Sequence, residues 1–317
     1  MTRAAVTLAC IATVVVALAA GPWWLSEAHL RDLVELFSLL AIAQMWNLLA
    51  GYAGLVSIGQ QMFVGLGAYA LFAFGDKRGV HPFVAVALAG LVCALISIPT
   101  AAVAFRLRGG YFAIGTWVIA EVYHLLAVNM QWVGGGDGTL LFSAARLDRE
   151  LRAHGTYFWA LGLGVASVLG SWLLLRSRLG LALAAIRDEE TAARSVGVSV
   201  LRAKVAVWVI AALGCGLAGA VYHLNLLRVQ PDAAFTVNWT AYMIFIVVIG
   251  GIGTIEGPIV GTILFFALQQ ELSRYGAWYL IVLGLIAVVA AVWVRGGIWG
   301  VVGRRLGLHL FPVQRRV

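Results

Sequence analysis

Of the 317 residues, 62% are hydrophobic and 11% are charged, against about 25% charged in a typical soluble domain. That balance excludes a water-soluble globule and makes bilayer hydrocarbon the solvent for much of the chain. The net charge of +8 sits in short gaps between apolar runs, which fits topology-setting charge beside a membrane and not a solvated nucleic-acid-binding face.

A helix needs about 20 apolar residues to cross a bilayer. The chain predicts an all-α polytopic helical bundle of about ten segments, over residues 4–24, 33–50, 59–75, 82–105, 111–130, 156–175, 203–227, 236–253, 257–273 and 276–294. Residues 1–317 form one membrane domain in this reading, with no soluble linker or low-complexity tract. The first segment reads two ways. Arg3, an apolar stretch and ALA at 17–19 match a signal peptide, and an uncleaved span fits equally well. The third and ninth segments are Gly-rich and expected to be broken or re-entrant.

Suppose the N-terminus is cytoplasmic and all ten segments cross. The inside then holds Arg3, Arg106, Arg108, six basic residues from Arg176 to Lys204 and five from Arg295 to Arg316, and eight basic residues lie outside. The positive-inside rule favours this orientation, with both termini cytoplasmic.

Gly51, Gly54 and Gly59 crowd the second-to-third junction, and Gly250, Gly251, Gly253 and Gly257 form a second such region. Each Gly costs about 1 kcal/mol relative to Ala inside a helix. Irregular backbone at membrane depth survives where it is buried in protein or lines a watery path. Asn47, Ser57, Gln60 and Gln61 stand at the first region. They are candidates for lining a route through broken helices, or for hydrogen bonds between packed helices. Thr116 and Glu121 join the candidate route from the fifth segment. Glu121 is ionisable in mid-span and so a functional candidate. His124, three residues on, shares its face. The pair suits proton coupling, and it equally suits a structural bond to a neighbouring helix.

The sizeable inside loop is 176–204, whose centre reads RDEETAARSVG at 187–197. Asp188, Glu189 and Glu190 suit a helix N-terminus, Gly197 a helix stop, and Ala192 and Ala193 leave a bare face. A docking helix and a solvated connector both fit. The six histidines have no metal spacing, and Cys10, Cys93 and Cys215 no redox spacing. GCGLAG at 214–219 lies inside a span and reads as small-residue packing. Lys77 and Lys204 are the two lysines and neither follows Gly. The chain therefore has no Walker A loop and cannot itself bind ATP through one. No catalytic grouping is visible, so the chain is not read as an enzyme, and no cofactor or metal is expected.

GLALAAIRDEETAARSVGV, from Gly180 to Val198, resembles the coupling loop of bacterial ABC importer permeases, and in particular the branched-chain amino-acid permease family. Thr191 stands where the wider pattern has Glu, with Glu190 one position earlier. Three further stretches resemble that family in its order: 47–69, 106–121 and 248–261. The 47–69 phrase is similar to the M-type of the two permeases, with Gln60 where His is frequent, a departure that bears on the solute. The resemblance implies ATPase coupling through Gly180, Arg187, Asp188, Glu189, Glu190, Ala192, Ala193 and Gly197. It also implies a homologous second permease, two ATP-binding subunits, a solute-binding protein and a location in the bacterial cytoplasmic membrane. The implied cargo is a branched-chain amino acid, with urea, short amides and other small solutes as alternatives. An ion-coupled secondary carrier, with Glu121 as the coupling group, is the competing class.

Overall fold

The computed structural model describes residues 12–272 and 296–306, with positions 274, 276, 281, 282, 284–286, 288, 289 and 311. The tenth predicted segment lies mostly outside the described residues, as does the start of the first. The helices are α1 (Ala12–Trp23), α2 (Glu27–Asn47, continued by a π turn over Leu48–Tyr52), α3 (Gln61–Phe72), α4 (Pro82–Ala104) and α5 (Gly110–Asn129). There follow α6 (Phe142–Ala145), α7 (Arg149–Leu175), α8 (Arg178–Asp188), α9 (Glu190–Ser195) and α10 (Val200–Leu226). The chain continues with α11 (Pro231–Ala234), α12 (Asn238–Gly250), α13 (Glu256–Leu272) and α14 (Gly297–Leu306). Strands β1 (Thr139–Leu140) and β2 (Arg228–Val229) pair antiparallel at the end of the bundle away from α8 and α9.

Six helical stretches among the described residues are long and apolar enough to span a bilayer. The chain is thus an all-α helical membrane protein, and the expected count of about ten segments is not confirmed among the described residues. The third and ninth segments fall short because their regular helices run for 12 and 17 residues. Helix starts also move. α2 begins at Glu27, before the expected 33, because Ser26 Oγ accepts from His29 N and Glu27 favours the positive end of the helix dipole. α7 begins at Arg149, before the expected 156, because the Asp148 carboxylate accepts from Glu150 N and Leu151 N. Hydropathy registers the apolar stretch and misses capped polar turns.

The packing uses small residues where backbones meet. α3 crosses α10 so closely that a Cβ on Gly67 would lie 2.0 Å from Gly216 O, and one on Gly219 2.1 Å from Val64 O. That crossing is the role of GCGLAG. Trp208 is fully buried beside it, with the rings of Phe63, Phe105 and Phe112 around it.

The loop centred on 187–197 is not one helix. Glu189 is extended (φ −158°, ψ 107°) and its carboxylate accepts from Thr191 N, which ends α8 and caps α9. The acidic run that favours a helix start here makes two helices meeting at a kink.

Candidate functional site

The two Gly-rich regions pack on each other. Asn47 Nδ2 donates to Thr254 O (2.7 Å), and Gly253 N donates to Asn47 Oδ1 (2.9 Å). One turn earlier, Gln44 Nε2 donates to Ile255 O (2.7 Å). Two side chains of α2 thus take up backbone groups freed where α12 stops before α13. Gly51 makes the approach possible, since a Cβ there would lie 2.7 Å from Gly253 N. The α12 stop needs glycine too: Gly251 has φ +135° and Gly253 φ +74°. A Cβ on Gly250 would meet Gly257 O at 1.9 Å, closing α12 onto α13.

The loop reaches this paired break. Arg187 Nη1 donates to Gly51 O (3.0 Å), while Nε and Nη2 hold Asp188 Oδ1 at 3.3 and 3.2 Å. Gly54, at φ +68°, lets the chain turn against the Arg187 stem. Gly180 packs onto the Leu175 backbone and ties α8 to the end of α7. In α9, Glu190 pairs with Lys204 on α10 and with Arg194. The Lys204 ammonium, then Arg194, holds the Glu190 carboxyl below the usual carboxylate range. A depressed folded-state value means that the stabilisation is present at neutral pH and is lost as pH falls through that value. Glu190 is 39% exposed, so solvent screening keeps the pair at about 0.5 kcal/mol or less. Lys204→Met is accordingly expected to quicken amide exchange across 190–197 at pH 7 with little change in the melting temperature of the whole protein.

Ala193 is buried, while Ala192 is exposed and Gly197 (φ +86°) faces open space. Val196, 79% exposed, and Leu181, 70% exposed, add apolar surface to the same loop. An apolar residue inside a charged loop was the available sequence signal for them.

Ser57, Gln60, Gln61 and Thr116 are buried. Ser57 Oγ accepts from Gly59 N (3.2 Å) and from Gln60 Nε2 (3.4 Å). Thr116 Oγ1 accepts from Ile58 N (3.2 Å), and Gly59 sits directly on the Thr116 backbone. Thr240 Oγ1 donates to Gln61 Oε1. The irregular stretch between α2 and α3 is thus fastened to α5, and the start of α3 to α12. Asn47 joins the other break and not this group. Trp46, whose Nε1 donates to Ser57 O (2.9 Å), is a further fastener that sequence reasoning missed.

Glu121 is elsewhere, on the surface of α5 and 54% exposed. His124 Nδ1 lies 3.0 Å from Glu121 Oε1, and Nε2 lies 3.0 Å from Asp232 Oδ1. Asp232 belongs to the four-residue α11, 108 positions from His124, and nothing in sequence spacing pointed to it. At the same end of the bundle a cavity of about 630 Å³ opens among Asp76, Lys77, His81 and Arg146.

The comparisons with known proteins agree with this architecture. The chain is 29% identical over 273 residues to the high-affinity branched-chain amino acid transport system permease protein LivM of Salmonella typhimurium, covering 78% of this chain and 64% of that protein. The Escherichia coli protein of the same name is 28% identical over the same coverage. The chain therefore spans about two thirds of the length of these relatives. It is also 26% identical over 227 residues to the ribose import permease protein RbsC of Escherichia coli, covering 67% of this chain and 68% of that one. No solved structure matches. The family model described as "Branched-chain amino acid transport system / permease component" matches residues 30–291, and the chain belongs to that family.

Proposed function

We propose that this chain is one half of the translocation route of an ATP-driven importer for branched-chain amino acids. The observation that carries the reading is the Arg187 contact. It joins the loop at 176–204 to the place where two interrupted helices share their hydrogen bonds. Such a contact suits a machine in which a separate motor pushes on the loop and the breaks answer in the membrane. In this reading the loop and both termini are cytoplasmic, in accord with the charge distribution, and the membrane is the bacterial cytoplasmic membrane. Two ATP-binding subunits dock on α8 and α9 through Asp188, Glu189, Ala192, Val196 and the turn at Gly197. A homologous second permease completes the route, and a solute-binding protein delivers cargo to the opposite end. Ser57, Gln60, Gln61 and Thr116 frame the route by fixing the irregular stretch beside it. The chain itself makes or breaks no bond.

The test is co-purification from cells expressing the whole system, followed by uptake of leucine, isoleucine and valine set against ribose, urea and acetamide. ATP-dependent leucine uptake that is lost with the ATPases supports the reading. Uptake driven by an ion gradient without them overturns it. Ala192→Glu is expected to cut ATPase co-purification by about tenfold, equivalent to about 1.4 kcal/mol, and to leave the melting temperature unchanged because Ala192 is exposed.

A further inference from the structure

The positive-inside rule leaves the end of the bundle away from α8 and α9 poor in basic residues, yet Lys77, Arg78 and Arg146 gather there. Lys77 and Arg146, with His81, line the cavity of about 630 Å³. Its walls are fastened together. After α3 the chain continues as a π turn over Ala73–Lys77. Asp76 Oδ1 accepts from Ser143 N (2.6 Å), which holds that turn to α6. Arg152 Nη1 donates to Ala144 O (3.3 Å) and ties α6 to α7. The Asp76 carboxylate is thereby used in the wall, with its second oxygen buried. The cations are not used in this way. Lys77 Nζ lies over the Phe72 ring (5.4 Å) and the Arg78 guanidinium over the Phe74 ring (5.5 Å). None of Lys77, Arg78 and Arg146 has a carboxylate partner among the described residues.

The cavity stands where two spans begin. Pro82, on its wall, is the first residue of α4, and Leu147, also on its wall, lies just before α7 starts at Arg149. Both helices are long and apolar enough to cross a bilayer, and only 39% of the apolar window of α4 is buried. Val84, Leu91, Leu95 and Ile98 are exposed at helical spacing and form a stripe that starts beside Pro82. From Val84 to Leu95 the stripe runs about 16 Å at 1.5 Å per residue, and one leaflet of the hydrocarbon core is about 15 Å deep.

We propose that this cavity holds the phosphate headgroup of an anionic phospholipid, with Lys77 and Arg146 as the phosphate-binding pair and the acyl chains laid along the exposed stripe of α4. Charge complementarity sets the choice. Two cations without a carboxylate partner suit a phosphodiester, and a headgroup that adds an ammonium brings a like charge to them. The inference concerns the chain in its membrane and does not depend on which solute is carried.

The test is native mass spectrometry of the full chain, with its co-purifying subunits, titrated in detergent with dioleoyl-phosphatidylglycerol and separately with dioleoyl-phosphatidylethanolamine. The expected result is saturable binding of phosphatidylglycerol, severalfold tighter than that of phosphatidylethanolamine and unmoved by millimolar inorganic phosphate. Lys77→Gln and Arg146→Gln, at exposed side chains, are each expected to weaken it about fivefold and together about 25-fold, with the melting temperature in lipid-free detergent unchanged. Arg106→Gln with Arg108→Gln removes two exposed cations beyond the other end of α4 and is expected to leave the affinity as it was. Equal losses from the two pairs would show diffuse charge attraction and not a site. Displacement of the lipid by inorganic phosphate would make the ligand a free anion. Loss of solute-binding-protein binding by the Lys77→Gln, Arg146→Gln variant, with lipid affinity unmoved, would make the cavity a protein dock. Each of these outcomes overturns the lipid assignment. A chain that imports no leucine yet keeps this lipid preference would sink the permease reading and leave the site standing.

Discussion

Gly51→Ala is expected to abolish uptake and to destabilise the protein by about 3–5 kcal/mol, the sum of an overpacking cost of about 1–3 kcal/mol and two lost hydrogen bonds of about 1 kcal/mol each. The added methyl would lie 2.4 Å from Asn47 Oδ1 and 2.7 and 2.9 Å from Gly253 N and Cα. The Asn47 side chain can rotate away, but then it releases Gly253 N and Thr254 O. The Gly253 backbone cannot move without unwinding the turn between α12 and α13. Both exits open the paired break. Gly162→Ala is the control. Nothing lies within 4 Å of that position, in a regular part of α7, and a gain of up to about 1 kcal/mol is expected from helix propensity. Melting curves of the purified complex check both. Equal melting temperatures for the Gly51→Ala variant and the parent would show that the breaks are not held by this contact.

Arg187→Ala is expected to leave the ATPases bound and hydrolysing while uptake falls by tenfold or more. The guanidinium spans two partners, Gly51 O and Asp188 Oδ1, and its removal leaves the loop in place through Gly180 on the α7 end and Glu190 on Lys204. A hydrogen bond from a charged donor contributes about 1.5–3 kcal/mol when buried. Arg187 is 43% exposed, so about 1 kcal/mol or less of stability is at stake. The larger effect falls on transport, because the link from loop to break is cut. Arg187→Lys is not a rescue, since an ammonium cannot hold the carbonyl and the carboxylate in one planar fork. Hydrolysis and uptake measured in parallel decide the matter: a variant that loses both together would make Arg187 a docking residue and not a link.

Both Gly-rich interruptions could be read from the sequence, because Gly51, Gly54 and Gly59, like Gly250 to Gly257, are costly in a helix and demand a reason. That they meet could not, because the bonds between them join residues 206 and 207 positions apart and carry no periodicity. The Glu121–His124 proximity followed from helical spacing, whereas Asp232 arrives on a four-residue helix too short to leave a pattern. The kink at Glu189 escaped notice because one acidic run suits a single helix start as well as a cap between two helices. Of the candidate route residues, Asn47, Ser57, Gln60, Gln61 and Thr116 are buried and Glu121 is on the surface, and a sequence does not distinguish a Gln that faces water from one bonded inside the bundle.

The hydrogen bonds of the paired break are reciprocal. Asn47 both gives to α12–α13 and takes from it, and Arg187 holds the carbonyl of the glycine that makes room for the pair. Neither interruption can therefore straighten alone without breaking the hydrogen bonds that the other relies on. Two bends more than 200 positions apart in the chain are thus tied to each other, and under the proposed function a push on Arg187 is expected to be felt at both.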